Sequence, residues 1–121
     1  MNILVIGGSG FVGHAIVRNL MAAGHTLSLL NRGNCPVSGT EQLTADRNEP
    51  AGLREVLEGR AFDVVIDSNC YTGAQARDLI TALAGRTPAA LVISSAAVYA
   101  DAAAHPPTES EPTGGGSAWA S

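Results

Sequence analysis

Four glycines within seven positions, directly behind an apolar run, are the residues of this chain whose types and spacing point most clearly to chemistry. Met1 to Ile6 reads Met-Asn-Ile-Leu-Val-Ile, and Gly7-Gly8-Ser9-Gly10-Phe11-Val12-Gly13 follows at once. Gly8, Gly10 and Gly13 fit the spacing G-x-G-x-x-G; Gly7, Gly10 and Gly13 fit G-x-x-G-x-x-G. Either alignment serves one purpose. A residue without Cβ lets the backbone turn sharply off a strand, another lets the main chain approach a pyrophosphate, and a third lets a helix sit close to its strand. The helix N-terminus then offers unpaired N–H groups and a partial positive charge to the phosphates of a dinucleotide. The pattern carries that meaning only between a strand and a helix, so the surrounding elements decide.

Those elements alternate. Ile3 to Ile6 reads as a strand. Phe11 to about Ala23 reads as an amphipathic helix with Phe11, Ala15, Ile16 and Leu20 apolar, stopped by Gly24. A second strand is expected over Thr26 to Leu30, a turn-rich loop over Asn31 to Pro36, and a short strand over Gln42 to Ala45 that ends in Asp46. Pro50 suits the first turn of a helix that Leu53, Val56 and Leu57 continue and Gly59 ends. Phe62 to Ile66 is the fourth strand, and its Val64-Val65-Ile66 run suits a strand covered on both faces. Thr72 and Gln75 have the spacing of a capping box for a helix with Ala76, Leu79, Ile80 and Leu83 on one face. Gly85 and Pro88 stop that helix, and Ala90 to Ile93 forms a fifth strand that delivers Ser94 and Ser95. Alternating strands and helices with short links predict an α/β fold: a doubly wound parallel sheet of the Rossmann type, strand order 3-2-1-4-5, with a ligand crevice where strands 1 and 4 meet. From Asp101 the periodicity ends, so residues 1–100 are expected to form the dinucleotide-binding domain and residues 101–121 an irregular or disordered tail.

Composition narrows the partners. A length of 121 residues allows one small domain, and 45% hydrophobic residues suffice for an ordinary core. A net charge of −4 argues against a broad nucleic-acid footprint, which needs a basic face. No apolar run approaches the roughly 20 residues of a membrane helix, and no basic leader precedes the first strand. The expectation is a soluble, cytoplasmic protein with neither membrane nor nucleic acid as partner. Cys35 and Cys70 lack metal-ligand spacing and read as free thiols; His14, His25 and His105 make no metal site. All seven basic residues are arginine. No mechanism that needs a lysine can be completed within this chain.

Taken in order, Gly7 to Gly13, Leu30-Asn31-Arg32-Gly33, Asp46-Arg47, Asp63 to Asp67 and Ser94-Ser95-Ala96-Ala97-Val98-Tyr99 resemble the extended short-chain dehydrogenase/reductases. More narrowly they resemble the NAD-dependent epimerase/dehydratase group, whose members mostly act on nucleotide-sugars. The resemblance covers residues 1–112 and implies hydride transfer between a nicotinamide dinucleotide and a nucleotide-sugar or related small molecule. Gly7, Gly10 and Gly13 would form the pyrophosphate turn, with Phe11 and Val12 donating backbone N–H groups. Strand 2 ends in Asn31-Arg32, where an acid would bind the ribose hydroxyls of NAD and repel the 2′-phosphate of NADP. With the acid missing and a guanidinium at hand, the expected cofactor is NADP, with NAD as the alternative. In the family an acid at Asp46 accepts a hydrogen bond from the adenine amino group, and Arg47 is counted with it among the cofactor contacts. Asp67, Ser68 and Asn69 would pass under the ribose and nicotinamide, partly through backbone atoms. Ser94 would touch the cofactor, and Ser95 would hydrogen-bond the reacting oxygen of the substrate.

The family's Tyr-x-x-x-Lys pair is the main departure. Its lysine lowers the tyrosine pKa and holds the nicotinamide ribose, yet neither Tyr71 nor Tyr99 is followed by lysine. The chain is therefore expected to be the N-terminal, cofactor-binding half of such an enzyme, truncated before the catalytic helix and substrate domain and without turnover of its own. Two rival readings are a regulatory or redox-sensing module that binds NAD(P) without turnover and an RNA-binding relative, against which the acidic balance counts. The fifth strand, apolar and at the sheet edge, predicts self-association as a homodimer or dependence on a C-terminal half.

Overall fold

In the computed structural model, which describes residues 1–95, 98–99, 108–110 and 112–113, eight elements follow one another in the expected alternation. They are β1 (Asn2–Ile6), α1 (Phe11–Ala22), β2 (Thr26–Asn31), β3 (Glu41–Thr44), α2 (Pro50–Leu57), β4 (Val64–Asp67), α3 (Gly73–Leu83) and β5 (Ala90–Val92). All strand pairs are parallel and the order is β3-β2-β1-β4-β5, as the sequence predicts.

The period-two alternation of β1 builds two cores at once. Ile3 and Val5 pack with Val17 of α1 and with Leu27, Leu29 and Ile66. Leu4 and Ile6 pack on the other face with Leu53 and Leu57 of α2 and with Leu79, Ala82 and Leu83 of α3. This division follows from topology. The chain winds from β1 toward β2 and β3, then returns past β1 to β4 and β5. Right-handed crossovers therefore put α1 on one face and α2 and α3 on the other.

Register aligns the strand ends that matter. Ile6 pairs with Leu30 on one side and Asp67 on the other, Asn31 pairs with Thr44, and Asp67 pairs with Val92. The segments leaving β1, β2, β3 and β4 thus emerge together at the carboxyl edge of the sheet. Several strand boundaries shift by one or two residues from the sequence reading, and two of the shifts have a plain cause. Asn31 belongs to β2 rather than to the loop, because it continues the ladder opposite Thr44. Phe62 precedes β4 instead of opening it: its N–H donates to the Arg86 carbonyl at 3.1 Å while its ring fills the core.

The capping box forms as the spacing predicts. Thr72 Oγ1 accepts the Gln75 N–H at 3.2 Å and Gln75 Oε1 accepts the Thr72 N–H at 3.3 Å. At the sheet edge, Leu91 and Val92 of β5 are 58% and 52% exposed. Most of the tail expected over residues 101–121, with His105, lies outside the described residues; Tyr99 and Thr113 form an antiparallel bridge.

Candidate functional site

The glycine turn connects β1 to α1, and its glycines have different reasons to be glycine. Gly7 has φ +79°, and an added Cβ would lie 2.8 Å from both Asn69 Cβ and Ser68 Oγ. At Gly13 an added Cβ would lie 2.2 Å from the Gly7 carbonyl oxygen, a backbone atom that cannot yield. Gly10 is different. Its φ is −77°, and the nearest atom to an added Cβ is 3.7 Å away, ordinary contact. The fold itself would accept a side chain there. Gly10 is also the N-cap of α1, which has no side-chain cap and no acidic residue in its first turn. The first helical donor bonded back to the turn is His14 N, to Gly10 O at 2.7 Å. The N–H groups of Phe11, Val12 and Gly13 precede it and have no intrahelical acceptor. A bare helix end beside an open glycine suits an anion.

A crevice of about 410 Å³ opens beside this turn at the β1–β4 switch. Gly7 and Ser9 border it on the glycine side, Asn31 and Arg32 at the end of β2, and Asp46 and Asn69 beyond β3 and β4. A second hollow, bordered by Ser9, Gly10 and Phe11, adjoins it, so Ser9 stands between the two. Phe11 is 96% exposed.

The β2 end is held by local bonds. Asn31 Oδ1 accepts the Gly33 N–H at 2.7 Å and Gln42 Nε2 at 2.8 Å. Arg32 is exposed on the crevice rim. Asp46 is half-buried, and its Oδ1 accepts the Asn48 N–H at 2.8 Å.

Arg47 and Asp67 form the frame of the opposite wall. They are 6% and 1% exposed and make an ion pair at 2.7 Å. Arg47 Nη1 also donates to the Asn69 carbonyl at 2.5 Å, and Nη2 to the Gln75 carbonyl at 3.3 Å. Asp67 Oδ1 accepts the Asn69 N–H at 2.9 Å. Ser68 donates its N–H to the Ile6 carbonyl at 3.0 Å and its hydroxyl to the carbonyls of Ile6 and Gly7. Although Arg47 borders the crevice, its Nη1 and Nη2 are turned to protein acceptors, and its Nε is buried without one.

Of the residues marked by sequence, Gly7, Asn31, Arg32, Asp46, Arg47 and Asn69 border one crevice. Gly10, Phe11, Val12 and Gly13 lie at the adjoining helix end. Ser94 and Ser95 follow β5 and are exposed, and they are not among the residues that border this crevice. Sequence reasoning missed Asn48, Gln75 and Cys35 as crevice residues and weighed Tyr71, also on its wall, only as a catalytic acid. Gln75 carried a signal, its capping-box spacing; Cys35 carried none. Among the described residues no group of three His, Cys, Asp or Glu could hold a metal, and no helix is long and apolar enough to cross a membrane.

Comparison with known proteins agrees with this geometry. The model of the NAD dependent epimerase/dehydratase family matches residues 3–120. A 2′-dehydrokanamycin reductase of Streptomyces kanamyceticus is 34% identical over 112 residues, covering 90% of this chain and 32% of that protein. A 2-alkyl-3-oxoalkanoate reductase of Stenotrophomonas maltophilia is 35% identical over 77 residues, covering 61% of this chain and 23% of that protein. Among solved structures, a short-chain dehydrogenase/reductase superfamily protein of Agrobacterium tumefaciens with bound NAD superposes with a TM-score of 0.78 at 23% identity, over 99% of this chain and 41% of that one. The chain thus spans about a third or less of the curated relatives' length.

Proposed function

The chain belongs to the NAD-dependent epimerase/dehydratase family, and from that premise we propose that it forms the NADP(H)-binding part of an oxidoreductase. The observation that carries this reading is one crevice bordered by a phosphate-type glycine turn at one end and by the exposed Arg32 at the other, with no acid at the end of β2. The residues fit the cofactor. The bare N-terminus of α1 and the open Gly10 suit the pyrophosphate, Arg32 suits a 2′-phosphate, and Asp46 suits the adenine amino group.

When bound, the nicotinamide supplies or accepts the hydride. The chain's own part is to hold and orient. Phe11 and Val12 would present N–H groups to the diphosphate, and Ser94 would lie on the cofactor side of the β5 end. Ser95 would present its hydroxyl to the reacting oxygen of the substrate. That substrate would be a nucleotide-sugar or a related carbonyl compound; two of the three curated relatives are named as reductases, which favours reduction. Proton transfer by a lysine-assisted tyrosine would need residues that these 121 lack.

The test uses the adenosine end alone. Titrating the chain with 2′,5′-ADP and 5′-AMP should show the 2′-phosphorylated ligand binding more tightly. Arg32→Ala should then lower affinity for 2′,5′-ADP about tenfold or more while leaving 5′-AMP unchanged, the size expected for a charged hydrogen bond. Equal affinities, unaffected by the substitution, would contradict the reading.

A further inference from the structure

The end of β4 carries three polar residues, of which Asn69 borders the crevice with its side-chain amide unbonded, while Asp67 keeps one buried carboxylate oxygen, Oδ2, without a partner. The Asp67 carboxylate is buried against Arg47, with Oδ1 bonded to Arg47 Nη1 and the Asn69 N–H. Ser68 has both its N–H and its hydroxyl on the carbonyls of β1 and the glycine turn. Asn69 has its N–H on Asp67 and its carbonyl on Arg47. The Asn69 side-chain amide has no hydrogen-bond partner among the described residues, although the residue is half-buried and borders the crevice. Its place is tightly set. Asn69 Cβ lies where a Cβ on Gly7 would collide, so the amide stands directly beside the glycine turn.

We propose that the side-chain amide of Asn69 is the ligand contact supplied by the end of β4, and that Arg47 is the positioning residue that holds it beside the glycine turn. This rests on the reading of the crevice as a dinucleotide site. The bonds on Asn69's own main chain carry the argument. Arg47 takes its carbonyl and Asp67, itself held by Arg47, takes its N–H. The backbone of residue 69 is pinned from both sides, and with its N–H committed to Asp67 the side-chain amide is the one donor it can offer a phosphate. A side-chain amide carries both donors and an acceptor, so it can meet either a diphosphate oxygen or a ribose hydroxyl. Arg47 is not interchangeable with lysine here. A guanidinium reaches Asp67, Asn69 and Gln75 at once, whereas an ammonium on a flexible stem lacks that planar fork.

The experiment is a double-mutant cycle on NADPH binding by the full chain, with a thermal melt of every variant. Asn69→Ala should weaken binding about three- to tenfold, the size of one neutral hydrogen bond, with an unchanged melting temperature, because no internal bond is lost. Arg47→Lys should weaken binding and lower the melting temperature. In the Asn69→Ala background, Arg47→Lys should weaken binding little further, a coupling that a purely structural role would not produce. Wild-type affinity in Asn69→Ala overturns the ligand role. Effects of the two substitutions that simply multiply overturn the positioning role. A wild-type chain that binds neither NADPH nor NADH overturns the underlying reading of the crevice, and this proposal with it.

Discussion

At Gly13 an added Cβ would meet a backbone oxygen at 2.2 Å, while at Gly10, in the same turn, the nearest atom would be 3.7 Å away. The same division runs through the opposite wall. Arg47 and Asp67 are buried and paired, whereas Arg32 is exposed and the Asn69 amide is open. One set of residues makes the frame beneath the crevice; the other faces whatever enters it. The difference teaches where to look for binding chemistry in this fold. Residues whose identity is already explained by their neighbours are frame. Residues whose identity is left unexplained by the protein are the ones to test against a ligand.

Substitutions in the frame should produce the largest effects, and on stability. Asp67→Ala leaves the Arg47 guanidinium buried without its carboxylate and should destabilise the chain by about 3–5 kcal/mol in a urea melt. Gly13→Ala should cost about 3 kcal/mol, at the upper end for overpacking, because the clashing atom is backbone. If either variant melts like the wild type, the frame is misassigned.

Crevice-facing substitutions should do the reverse. Gly10→Val should abolish measurable dinucleotide binding while costing less than about 1 kcal/mol of stability, the loss expected for a poor N-cap residue. A Gly10→Val chain that binds as well as the wild type would remove the diphosphate from this turn.

The smallest effect lies away from both regions, where β3 begins. Glu41 is hydrogen-bonded to Arg60 at 2.8 Å and to Ser28 at 2.9 Å. Those two hydrogen bonds, Arg60 first, hold its carboxyl below the usual carboxylate value. A carboxyl whose pKa is lower in the folded than in the unfolded chain adds stability that is fully present above its unfolded value and fades as pH falls through its folded value. Both partners are well exposed, so Glu41→Gln should cost under about 1 kcal/mol at pH 7. The difference from wild type should vanish in acid. A penalty that persisted at low pH would trace to packing instead of charge.

Much of the frame is legible in the sequence because its causes are local. The Val64-Val65-Ile66 run, the Thr72–Gln75 spacing and the glycines behind β1 each announce their element within a few residues. The division between frame and face is not local. Arg47 beside Asp46 is counted among the cofactor contacts from its place in the sequence alone. Only the docking of the segment from Asn69 to Gln75 against the residues that follow β3 brings the carbonyls of Asn69 and Gln75 to its guanidinium. The same docking puts Asn48 and Tyr71 on the crevice wall, and no spacing rule within one segment reports it. Asn31 reads as loop for a related reason: its ladder partner, Thr44, lies across a turn-rich connection without periodic pattern.

Parallel calorimetric titrations of the full chain with NADPH and NADH test the central claim most directly. Both should bind saturably at one site, with NADPH at least about tenfold tighter through one charged contact at Arg32. Tighter binding of NADH, or no binding of either, would contradict it.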